Sequence, residues 1–146
     1  MAASAWKVYH NAKKYILDGT IDLDTTVLVM KVVKGTGAAA VSDLAQDTFA
    51  SCGTAVTFVG PVTFHALDNK TVTLIAGSQT IAFDAADEVF TASGNLTSLR
   101  YLVVGVNGGK ALCYSKLSAD TSLSAGSTLT VAFNAAGVFD ISGGVT

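Results

Sequence analysis

The sequence predicts a mainly β protein, an antiparallel β-sandwich of jelly-roll-like character with one N-terminal amphipathic α-helix. Three observations carry this. From Thr54 onward the chain is a succession of short apolar, β-branched runs, which suit strands better than helices. Turn-forming pairs at Gly60-Pro61, Asp68-Asn69 and Gly77-Ser78 punctuate those runs every eight to ten residues, the spacing of an antiparallel sandwich or barrel. Asn107-Gly108-Gly109 then supplies the strongest hairpin signal, because both central positions accept a positive φ.

The helix comes first in the chain. Trp6, Tyr9 and Ile16 recur at helical spacing, with Val8, Ala12 and Tyr15 on an adjoining row and Lys7, Asn11 and Lys14 elsewhere. Ser4 suits an N-cap and Asp18-Gly19 a left-handed stop, so the helix is expected over residues 4–18, packed on its own sheet or on a neighbouring subunit. Residues 27–33 are β-branched and read as a buried strand, ended by Gly35, Gly37 and the alanines Ala38 to Ala40. Residues 41–49 fit a short helix starting near Ser42, while Asp43, Gln46 and Asp47 fit a surface loop equally.

Strands are then expected at 55–59, 62–67, 71–76, 80–83 and 88–91. The run Leu99-Arg100-Tyr101-Leu102-Val103-Val104 is apolar on both faces except at Arg100, the one arginine of the chain, and reads as a central strand. The hairpin joins 99–106 to 111–116, and a last pair lies at 127–133 and 138–141, so nine or ten strands follow one helix. An internal echo links Ile81-Ala82-Phe83-Asp84-Ala85-Ala86 to Val131-Ala132-Phe133-Asn134-Ala135-Ala136. It reads either as one turn chemistry used twice or as a pseudo-symmetric pair facing across the sandwich. With 146 residues, the chain is expected to be one domain, 1–146.

Composition narrows the function. A net charge of −2 and a pI near 5.5 offer no basic field, so nucleic acid is not the expected partner. Only 14% of residues are charged, against about a quarter in ordinary soluble domains, and the mean hydropathy is +0.49. No apolar run reaches the ~18 residues of a membrane span, so no membrane is expected either. The excess apolarity points instead to burial in a homo-oligomer or a larger assembly. Lys7, Lys13 and Lys14 interrupt the N-terminal apolar residues, so no signal-peptide core is written there.

Chemistry is sparse in the sequence. Cys52 and Cys113 stand far apart without a CxxC, and read as small core residues. His10 and His65 lie outside any nucleophile motif, and Asp22 and Asp24 lack the glycine and distal glutamate of a calcium loop. Asp84, Asp87 and Glu88 form the one carboxylate group worth weighing, as a weak cation site or a hydrolytic pair, against a solvated turn. No catalytic, cofactor or metal residue is assigned, and no enzymatic activity is expected. The candidate interface residues are Trp6, Tyr9 and Lys13, because large aromatics carry much of the energy of protein contacts.

Three stretches also carry a resemblance. Ala5-Trp6-Lys7-Val8-Tyr9 with Ala12-Lys13-Lys14 and Asp18-Gly19-Thr20-Ile21-Asp22-Leu23-Asp24-Thr25, then Phe83-Asp84-Ala85 with Leu99-Arg100-Tyr101-Leu102-Val103-Val104, and finally Thr130-Val131-Ala132-Phe133-Asn134-Ala135-Ala136-Gly137-Val138-Phe139 resemble small virion structural proteins of tailed bacteriophages. Residues 34–59 depart from that group, which carries a longer aromatic segment there. The resemblance implies a virion component without enzymatic activity. With the low charge it leads us to expect a capsid decoration, or cement, protein that is made in the host cytoplasm. It would sit as a trimer on the capsid surface, with the major capsid protein as its partner. A tail or fibre component is the first alternative and a carbohydrate-binding β-sandwich module the second.

Overall fold

The computed structural model describes residues 5–77, 80–133 and 137–142. In chain order the elements are β1 (Lys7–Val8), α1 (His10–Leu17), β2 (Val29–Lys34), a 3-10 turn (Gly35–Gly37) running into α2 (Ala38–Ser42), β3 (His65–Ala66), β4 (Thr71–Ile75) and β5 (Thr80–Asp84). They continue with β6 (Glu88–Thr91), β7 (Leu96–Gly105), β8 (Ala111–Leu123), β9 (Thr128–Val131) and β10 (Phe139–Ser142). The strands form a five-stranded sheet in the order β1-β8-β7-β2-β3, a three-stranded sheet β10-β5-β4 and a two-stranded sheet β6-β9, and the pairing is antiparallel in each. The protein is therefore mainly β and antiparallel, with an N-terminal helix.

The pairings nest. β7 pairs with β8 across the reversal at Asn107-Gly108-Gly109, β6 pairs with β9, and β5 pairs with β10, so the strands β5 to β10 follow one long two-stranded ribbon. Folding such a ribbon back on itself is the winding of a jelly roll. The internal echo follows the same rule, since the first strand of each copy pairs with the second strand of the other: Phe83 sits opposite Phe139, and Glu88 opposite Val131.

Burial follows from this topology. β7 lies between β8 and β2, and Leu99, Leu102, Val103 and Val104 are all buried, as a strand covered on both faces requires. One hydrophobic cluster joins Leu102 and Val104 to Phe83 of β5, Phe90 of β6, Leu129 and Val131 of β9 and Phe139 of β10, so the three sheets share a core. Lys31 of β2 is buried as well. Its ammonium donates to the carbonyls of Phe49 at 2.6 Å and Gly53 at 2.7 Å and lies 4.5 Å from the centre of the Phe49 ring, which pins the 43–53 segment over the sheet.

Several boundaries differ from the sequence expectation. The helix begins at His10, not at residue 4, because Lys7 and Val8 pair with Tyr114 and Cys113 at the edge of the large sheet. The burial of residues 5–8 alternates: Ala5 and Lys7 are exposed while Trp6 and Val8 are half-buried, a period of two that the helical spacing of Trp6 and Tyr9 disguises. Ser4 lies outside the described residues, whereas the stop at Asp18-Gly19 is formed, with Gly19 at φ 77°. The short helix ends at Ser42, where one had been expected to begin, and Asp43 starts a turn by accepting the Ala45 N–H. The runs at 55–59 and 62–67 make only isolated bridges and the two-residue β3, yet Val56 and Phe58 are buried, so their apolarity serves the core without a ladder.

Gly137 holds the second corner of the ribbon. Its φ is 95°, and a Cβ there would lie 2.6 Å from the Phe83 carbonyl oxygen, which already accepts the Val138 N–H at 2.7 Å. Gly137→Ala is expected to destabilise the fold by about 2 kcal/mol or more in urea unfolding. Gly94→Ala, with open space around its Cβ and no positive φ, is expected to change stability by less than about 1 kcal/mol.

Candidate functional site

The surface that stands out chemically is the outer end of the three-stranded sheet. β4 is its terminal strand, and all five of its residues are exposed. The register with β5 runs without interruption from Thr71 opposite Asp84 to Ile75 opposite Thr80. Directly paired residues share a face, so Val72 and Phe83 lie on one side together with Leu74 and Ile81. That face starts in the core, where Phe83 is buried 5.3 Å from the Phe139 ring, and continues outward to Ile81, 42% exposed, and Leu74, 68% exposed. Val72 adds exposed apolar surface to that face, while Ile75, opposite Thr80, lies on the other.

Among the described residues, this edge lacks the usual protection. Edge strands are ordinarily blunted by charges, proline or bulges, because their outward backbone groups template pairing with another chain. Between Lys70 and Asp84 there is no charged side chain and no proline. Lys70 itself turns back to the Thr26 carbonyl.

The residues singled out from sequence fall elsewhere. Tyr9 is completely buried, its hydroxyl donating to the Val41 carbonyl at 2.8 Å and its ring 5.5 Å from that of Tyr114, so it belongs to the core and is corrected as an interface anchor. Burial pushes its phenol far up, which keeps the donor proton in place. Trp6 is half-buried with its ring 5.6 Å from Phe133, and Lys13 is exposed on α1. Cys52 and Cys113 are free and buried, and burial raises both thiols, the opposite of nucleophile activation.

The three carboxylates are put to separate uses. Asp84 accepts the Ala85 N–H and Asp87 the Phe133 N–H, each at 2.9 Å. Glu88 is buried 3.5 Å from His65 Nδ1, and the His65 ring stacks on Phe90 with centres 4.2 Å apart. Among the described residues no group of three His, Cys, Asp or Glu is placed to hold a metal ion. The Glu88–His65 pair was missed from sequence, although the alternation of β6 already placed Glu88 on the face of Phe90. An open cleft of about 600 Å³ is lined by Val33, Thr36, Gly53, Thr57 and Ser93, among others, with Lys34 as its one charged side chain.

The chain matches no known family. No family model, curated protein or solved structure matches it.

Burial holds the Glu88 carboxyl above the usual carboxylate range, with His65 opposing the shift. A carboxyl raised in the folded state contributes stability that is fully present below its ordinary titration and is lost as pH rises through the raised value. Glu88→Gln is therefore expected to be more stable than the parent at pH 8, with the gap closing toward pH 4 in urea unfolding. A gap that widens on acidification would contradict the burial argument.

Proposed function

We propose that this protein is a non-enzymatic capsid decoration, or cement, protein of a tailed bacteriophage, which binds the outer surface of the assembled head through the major capsid protein. The observation that carries the reading is the apolar row running from buried Phe83 out to exposed Leu74 on an unprotected edge strand. Such a surface is finished by another protein. The low charge of the chain and the resemblance of its two ends and centre to virion proteins support the same reading.

The physical role follows from linkage. A protein that binds the assembled lattice and not the free subunit stabilises the lattice by mass action, by about 2.7 kcal/mol per site when its free concentration is a hundred times the dissociation constant. This role asks for a rigid scaffold with an apolar contact surface, and the shared core of three sheets provides one. Self-association on the shell adds to the effect, because neighbouring copies tether one another.

Mixing purified protein with heads that lack it tests the proposal. Saturable binding to heads, absence of binding to unassembled capsid subunits, and a rise in the temperature at which the heads release DNA are expected. Equal binding to free subunits, or labelling of the tail in place of the head in whole virions, would overturn it.

A further inference from the structure

The five-stranded sheet carries a second polar cluster, far in register from the β4 edge. Lys7 of β1 sits opposite Tyr114 of β8, and Tyr101 of β7 sits opposite Lys116 of β8. Opposed residues share a face, as do residues two apart along a strand, so all four side chains stand on one side of the sheet. With Ala5 and Ser42 they line a cleft of about 470 Å³, a size suited to a small molecule.

The two tyrosines are the telling residues. Each is only 5% exposed, and their rings meet edge to face with centres 6.5 Å apart. Among the described residues neither hydroxyl has a hydrogen-bond partner, yet no buried polar atom is left unsatisfied, so both hydroxyls open into the cleft. Burial, reinforced by Tyr101, raises the Tyr114 phenol, which keeps it a donor at neutral pH. Ser42 adds no donor, because its hydroxyl is given to the Ala38 carbonyl at 2.6 Å.

Charge gives the sign of the ligand. The Lys116 ammonium lies 6.0 Å from the centre of the Tyr101 ring, and Lys7 is exposed on the strand beyond Tyr114. Among the described residues Lys7 enters no ion pair and no carboxylate lines the cleft. Asp43, next to Ser42, turns its carboxylate to the Ala45 N–H. A chain of net charge −2 has thus set two cations and two hydroxyl donors around one cavity.

We propose that this cleft binds the phosphate group of a small organic phosphate, with Tyr101 and Tyr114 donating hydrogen bonds and Lys7 and Lys116 supplying the charge. The donors rise from three strands and surround the ligand, whereas a carboxylate is matched by donors lying side by side in one plane. A phosphate monoester offers three terminal oxygens in a tetrahedral arrangement and about two negative charges at neutral pH, which answers two ammonium groups. Ala5 and the tyrosine rings provide an apolar wall for the ester group. The site lies on a different sheet from the β4–β5 face and stands or falls independently of head binding.

Calorimetric titration of the full chain tests the assignment. Phenyl phosphate is expected to bind with a dissociation constant of about 0.1–1 mM at low salt, and benzoate at least about tenfold more weakly. Tyr101→Phe and Tyr114→Phe keep the rings and remove the hydroxyls, and each is expected to weaken phenyl phosphate binding about three- to tenfold. Lys7→Gln, at an exposed position that the fold does not depend on, is expected to weaken it by a similar factor and to flatten its salt dependence. Lys13→Gln, exposed on α1 outside the cleft, is expected to leave it unchanged. Absence of phenyl phosphate binding, or binding that neither Lys7→Gln nor the tyrosine variants weaken, overturns the proposal. Benzoate binding as tight as that of phenyl phosphate overturns the choice of phosphate.

Discussion

The pairing of β7 with β8 across Asn107-Gly108-Gly109 is the constraint from which the rest of the architecture follows. Gly108 supplies the positive φ of the reversal, at 70°, and the Val106 N–H closes it on the Lys110 carbonyl at 2.8 Å. The approach is tight: a Cβ at Gly105 would lie 2.7 Å from both that carbonyl oxygen and a carbon of the Phe49 ring. Once this register is set, two arms of one ribbon are committed to each other, and β6 with β9 and β5 with β10 continue it outward. The helix is tied to the same reversal, because the Asp47 carboxylate accepts from Lys110 at 2.7 Å and from Asn11 and Tyr15 of α1. Asp47 is exposed enough for water to weaken each of these contacts, so their joint geometry matters more than any single ion pair.

The ribbon also explains where the fold runs out of cover. Near the reversal both of its faces are packed, by the 43–53 segment pinned through Lys31 and by the core shared with the smaller sheets. Farther along, β5 and β10 leave the large sheet and take β4 with them as a terminal strand. Phe83 and Phe139 still reach the core, whereas Ile81 and Leu74 extend beyond it. The apolar row is thus a direct continuation of core packing into solvent.

Much of this architecture is legible in the residues. Asn107-Gly108-Gly109, Asp18-Gly19 and the apolar run at 99–104 mark their elements because their conformational preferences are local. The echo between residues 81–86 and 131–136 reads as a shared turn chemistry or as a pair facing across the sandwich, whereas the structure pairs β5 with β10 and β6 with β9 edge to edge. What escapes is information held between segments. Trp6 and Tyr9 lie three apart, a spacing that helix and loop share, and only pairing with Cys113 and Tyr114 shows that residues 7–8 are strand. Val56 and Phe58 signal burial truthfully but not a ladder, since apolarity reports environment and not hydrogen-bond partners. Thr71-Val72-Thr73-Leu74-Ile75 reads as an ordinary half-buried strand, and its exposure emerges only when the ribbon leaves the sheet. The candidate site was therefore less readable than the fold: Tyr9 is buried in its own core and Trp6 is half-buried beside Phe133, while the exposed apolar surface sits on a strand with no distinctive residue.

The account stands on the claim that the outer face of the β4–β5 sheet is completed by protein. Hydrogen–deuterium exchange of the isolated chain and of the chain bound to phage heads addresses it most directly. On heads, peptides spanning Thr71–Ile75 are expected to show the largest gain in protection, with little change at Leu99–Val104, which is already buried in the free protein. Unchanged exchange across Thr71–Ile75, with new protection confined to α1 or to the 43–53 segment, would contradict it.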